Sequence, residues 1–261
     1  MLSSDHMTIT SESDSPGERR SYQQVVAALA AAQKTTKGAP AYSRFVNRRL
    51  GRYLAAAAYQ VGGTPNGVTA VSAFFTFAGI ATIIFVSPSL FVGILVSVCL
   101  VVGYAFDAAD GQLARLRGGG SPAGEWLDHM VDAAKIATLH LAVLISMYRF
   151  FGLSSAGWLL VPLGFSAVAA IMFFGMILND QLRRNTARIA PIADRGNTSG
   201  IRSLLVIPTD YGLLCAVFIL LAVPHLFLWI YGFLFLCNAG FMFLAGFKWF
   251  SDMKALSVSA R

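Results

Sequence analysis

The stretch from Phe106 to Lys135, FDAADGQLARLRGGGSPAGEWLDHMVDAAK, sets Asp107, Asp110, Asp128 and Asp132 inside sequence that is otherwise apolar enough to read as membrane. A charged residue at the centre of a membrane helix costs roughly 2.5–3.5 kcal/mol on insertion scales, so four of them call for a purpose. Asp107 and Asp110 are three residues apart and Asp128 and Asp132 four apart, which on helices puts each pair along one face about a turn apart. The Gly-, Ser- and Pro-containing loop from Arg117 to Pro122 would fold the second helix back against the first. The acidic faces then meet, and in a low-dielectric site they repel unless protonated or neutralised by cations. Oxygen-only ligands favour hard divalent ions, Mg²⁺ or Mn²⁺ rather than zinc, and two such ions would balance four carboxylates.

Outward from that stretch, the chain of 261 residues is 56% hydrophobic and only 13% charged. The expectation is an all-α, polytopic membrane protein with six transmembrane helices and interfacial helices at its N-terminus. The spans fall near 67–86, 89–113, 124–147, 156–178, 204–223 and 226–247. Residues 1–20 read as a disordered tail without the apolar centre of a cleavable signal, and 21–63 as cytoplasmic juxtamembrane amphipathic helices. A six-helix domain then fills 64–250, and 251–261 is a cytoplasmic tail. Arg44, Arg48, Arg49 and Arg52 beside Tyr42, Phe45, Leu50 and Tyr53 suit a helix lying in the membrane interface.

Net charge is +7, but placement matters more than size, because the basic residues flank spans instead of forming a soluble basic face. Nucleic acid is therefore not an expected partner, whereas an anionic bilayer surface is. Eighteen of the twenty Lys and Arg residues fall on one side of the expected topology. By the positive-inside tendency, both termini and the aspartate cluster are cytoplasmic. Cys99, Cys215 and Cys237 stand singly in apolar runs, with no metal or redox spacing.

The pattern DxxDGxxARx8GxxxDxxxD, present as Asp107, Asp110, Gly111, Ala114, Arg115, Gly124, Asp128 and Asp132, resembles the signature of the CDP-alcohol phosphatidyltransferase family. The resemblance covers roughly Thr64 to Phe247. It implies an integral membrane transferase that moves a substituted phosphate from a CDP-alcohol to an acceptor hydroxyl and releases CMP. It also implies two divalent cations held by Asp107, Asp110, Asp128 and Asp132, with Asp132 as general base, and a homodimer. Gly111, Ala114 and Arg115 become nucleotide contacts. Ser121 matches a loop position near the donor, and Asn66 and Thr69 match a second, shorter family element. The expected donor is CDP-diacylglycerol and the acceptor a small polar alcohol or alcohol phosphate, such as an inositol or glycerol phosphate, in phospholipid synthesis. A CDP-polyol or CDP-amino-alcohol donor is the alternative within the same chemistry, and a divalent-cation transporter the alternative of another class.

Several residues outside the signature stay open. Lys135, seven after Asp128, faces the aspartate side of its helix and either pairs with Asp132 or contacts an acceptor group. Glu125 suits a solvated helix start. Arg188, Arg195 and Arg202 either bind an anionic acceptor or simply mark the cytoplasmic side. Asp210, inside an expected span, is a candidate acceptor contact, while His129 and His140 read as packing or hydrogen-bonded residues. Gly118-Gly119-Gly120 reads as a turn, since it lacks the strand, helix and lysine context of a phosphate loop.

Overall fold

A computed structural model of the chain describes residues 20–32, 41–187 and 207–259. The described residues are helical throughout apart from short connections. In chain order they form α1 (Tyr22–Ala31), a π-helical turn (Ser43–Asn47), α2 (Arg48–Gln60), α3 (Pro65–Phe85), α4 (Leu90–Leu116) and α5 (Pro122–Phe150). A 3₁₀ turn (Ala156–Leu159) then leads into α6 (Leu160–Ala187). After a second 3₁₀ turn (Ile207–Thr209) come α7 (Tyr211–Val217), a third (Phe218–Ala222) and α8 (Pro224–Ser259).

Local chemistry sets the starts. Thr64 accepts a hydrogen bond from the Gly67 amide at 3.1 Å and Ser121 one from the Gly124 amide at 3.0 Å, each followed by a proline that needs no amide partner. The helices α3 and α5 thus open on the same four-residue device, a hydroxyl cap, a proline, a variable residue and a glycine. Between α4 and α5 the chain reverses at Gly118 and Gly119, whose φ values of 95° and 123° exclude most side chains.

Five helices are long and apolar enough to cross a membrane: Pro65–Phe85, Leu90–Leu116, Pro122–Phe150, Ala156–Asn185 and Pro224–Leu256. They mark the chain as an integral membrane protein. The fifth expected span, 204–223, departs from the sequence reading, and its first three residues lie outside the described ones. Within the described residues its apolar helix runs only from Tyr211 to Ala222. At 1.5 Å per residue that covers about 18 Å, short of the ~30 Å of hydrocarbon. The cause is Asp210, which caps α7 through the Gly212 amide at 3.1 Å and also accepts the Tyr42 amide at 2.8 Å. Each carboxylate oxygen thus accepts a backbone amide, and Asp210 serves as a buried structural cap. Arg188, Arg195 and Arg202 lie outside the described residues, as do 1–19.

Two apolar clusters hold the fold. The larger spans α3 to α8 and includes Leu100, Leu139, Met147, Phe218 and Phe227. Inside it, His140 Nδ1 and the Tyr231 hydroxyl lie 2.6 Å apart, and the imidazole stacks on Phe165 at 4.0 Å, so this histidine is the hydrogen-bonded core residue expected. The smaller cluster joins Val25 and Leu29 of α1 and Ala55 and Ala56 of α2 to Val68, Ala109 and Leu113. The helix α2 is therefore docked on the bundle by its small-residue face, and not only laid in the interface. A Cβ on Gly51 would lie 2.9 Å from that of Ala108. The other face of α2 keeps Leu50 and Tyr53 exposed, as the preceding turn does Phe45. The last helix continues to Ser259, well into the stretch read as a tail.

Candidate active site

The hairpin of α4 and α5 brings the acidic faces together. Asp107, Asp128 and Asp132 each offer a carboxylate oxygen, all within 4.8 Å of one another. That spacing suits a shared cation, since hard divalent ions take oxygen ligands at about 2.0–2.6 Å. Asp110 stands beside this group and belongs to it less directly. It is 6% exposed, and Thr69 donates to its Oδ2 at 2.6 Å.

Against the aspartates lies a cavity of about 560 Å³, closed on two sides by the starts of α3 and α5. Asn66, Thr69, Gly111, Ala114, Arg115 and Ser121 all line it, together with Asp110 and Asp128. Asp107 and Asp132 adjoin this wall through Asp128 and are not part of the lining. Gly111 has open space where a Cβ would point, its nearest neighbour being Arg115 Nη1 at 3.4 Å, so the missing side chain widens the cavity. Gly124 does the reverse: a Cβ there would come within 3.1 Å of Asn66 Oδ1, so its absence lets the two helix starts close on each other. Amide-rich helix starts and a guanidinium make this wall receptive to a phosphorylated ligand.

Four groups at the site were not placed by the sequence, or were left open by it. Lys135 donates to Asp107 at 2.7 Å, to Asp132 at 3.1 Å and to Ser72 at 3.0 Å, so its pairing with Asp132 is observed and extends to Asp107. Ser72 went unnoticed, although Thr69, Ser72 and Thr76 at i, i+3 and i+7 form a polar stripe on an apolar helix and are all buried. Arg184 of α6 reaches the rim, pairing with Glu125 at 2.9 Å and with Asp180 at 2.6 Å. Glu125 is thus at a helix start as expected, but paired. His129 lines the cavity as well and lies 3.9 Å from Glu125.

The chain is thus a helical membrane protein that gathers carboxylates beside a polar cavity, an arrangement able to hold a divalent cation next to a phosphorylated ligand. Residues 63–244 match the CDP-alcohol phosphatidyltransferase family, well over half of the chain, and the protein belongs to that family. Members are CDP-alcohol phosphotransferases, enzymes that transfer substituted phosphate groups with the help of a divalent metal. No curated protein was found to match the chain.

Proposed function

We propose that the enzyme transfers a phosphatidyl group from CDP-diacylglycerol to a small polar alcohol or alcohol phosphate and releases CMP, at the cytoplasmic face of the membrane. The observation that carries the reading is the convergence of Asp107, Asp128 and Asp132 beside a cavity walled by Asp110, Gly111, Ala114 and Arg115. Asp107, Asp110, Asp128 and Asp132 would hold two divalent ions, Mg²⁺ or Mn²⁺, which when bound neutralise the donor diphosphate and the departing CMP.

In this reading the nucleotide lies over Gly111 and Ala114, with Arg115 on a phosphate and Ser121, Asn66 and Thr69 bounding the far wall. The acceptor hydroxyl forms a bond to the phosphorus that carries diacylglycerol, and the bond from that phosphorus to the oxygen of CMP breaks. Asp132 takes the hydroxyl proton. Lys135 engages its Oδ1, which leaves Oδ2 for that proton. The fixed ammonium supports an enzyme over a cation pathway, because it stands beside the carboxylates on their buried side and would repel a passing ion. The domain limits of 64–250, the cytoplasmic termini and a homodimer belong to the same reading.

The test is CMP release by the purified protein with Mg²⁺ or Mn²⁺, across a panel of CDP-diacylglycerol, CDP-polyol and CDP-amino-alcohol donors and polar acceptors. Release with the lipid donor alone supports the proposal. Release only with water-soluble CDP-alcohols would move the donor assignment, and none with any pair would overturn the reading.

A further inference from the structure

Lys135 lies outside the sequence pattern that marks the family, yet it bonds directly to two of the signature aspartates, Asp107 and Asp132. Its side chain is almost fully buried, at 8% exposure. An ammonium carries three N–H bonds, and here they go to Asp107 Oδ1, Asp132 Oδ1 and Ser72 Oγ. None is left for an acceptor anion, so the contact with acceptor that the sequence left open has no donor to make it.

The anchor is equally determined. Ser72 is wholly buried and donates its single hydrogen to the Gly103 carbonyl at 2.8 Å, so its lone pairs face the lysine. Gly103 lets this happen: a Cβ there would sit 2.2 Å from Thr76 Oγ1 and 3.1 Å from the Ser72 carbonyl oxygen. The backbones of α3 and α4 touch at this level. A continuous chain of hydrogen bonds thus runs from α4 through α3 to α5 and back to α4.

We propose that Lys135 is the resident cation of the centre, a positioning residue that grips one oxygen of Asp107 and one of Asp132 and leaves each a second oxygen for metal or proton. The inference rests on the metal-centre reading given above. Removing the ammonium would leave three close carboxylates without their permanent counter-charge, so α4 and α5 would come to depend on a divalent ion to stay together. The same ammonium repels an incoming ion, so its loss should also tighten metal binding.

The experiment compares wild type, Lys135→Met, Lys135→Arg and Ser72→Ala as full chains in detergent, melted first in chelator and then over a Mn²⁺ titration without nucleotide. For Lys135→Met, Tm in chelator falls, and the rise on adding Mn²⁺ is about twice that of wild type or more. The Mn²⁺ midpoint for that variant moves about tenfold lower. Ser72→Ala shifts the same way by less, and Lys135→Arg keeps most of the wild-type behaviour. If Lys135→Met cannot be recovered folded even with Mn²⁺, Ser72→Ala decides. The proposal is overturned if the variants melt like wild type in chelator and their Mn²⁺ midpoints are unchanged or higher. A wild type that shows no Mn²⁺-dependent rise would count against the metal centre itself, and the chelator melts would still judge the lysine.

Discussion

Two of the places where this bundle buries polar side chains do so differently. In the aromatic core, His140 and Tyr231 make one neutral hydrogen bond and are packed by Phe165 and Phe227. At the hairpin end, Lys135 bonds to Asp107, Asp132 and Ser72, Thr69 bonds to Asp110, and Asp128 stands close by, all beside an open cavity. A single neutral pair satisfies itself and locks helices together. A group with more negative charge than the protein offsets is built to receive something from outside. Polar burial alone therefore does not mark a site, whereas unbalanced charge beside a cavity does.

The largest effect should come from Asp132→Asn, which removes the proposed base while keeping shape. CMP release is expected to fall by about 10²–10⁴-fold, with Tm held or raised because one repelling charge is gone. An active Asp132→Asn enzyme would erase the functional half of the contrast. His140→Ala tests the other half: stability should drop by about 2–4 kcal/mol, while turnover per folded molecule stays near wild type. A large loss of turnover in folded His140→Ala would show that the core pair is not merely structural. Thr69→Val comes next, since it strips Asp110 of its hydroxyl donor. The Mn²⁺ concentration giving half the maximal rate should rise roughly tenfold, in line with the worth of a hydrogen bond to a charged group. Arg184→Ala should do least. Its ion pairs are about half exposed and worth less than about 1 kcal/mol, so a few-fold rise in donor KM with unchanged Tm is the expected outcome.

The hairpin end was the easier half to read in the sequence. Charges in apolar sequence cannot hide, and spacings of three and four residues fix which of them share a face. Ser72 was hidden because a hydroxyl costs little in a membrane helix and its partner Lys135 is 63 residues away. Hydropathy also overstated the fifth span. It registers apolar side chains, while the start of α7 is set by Asp210, which caps the helix locally and is held in place by an amide 168 residues away, a tertiary contact that has no local signal. The same limit applied to α2. Its arginines and exposed aromatics were visible as an interfacial face, but the close contact of Gly51 with Ala108 depends on what α4 presents there.

The bond between Tyr42 and Asp210 bears on how the molecule is assembled. During synthesis the amide of Tyr42 emerges long before the carboxylate that receives it, 168 residues further on. Four spanning helices are synthesised before the N-terminal segment can be fastened at this point. The segment is thus a late latch on a bundle built beneath it, and a chain truncated before Asp210 would carry its first helices without this fastening.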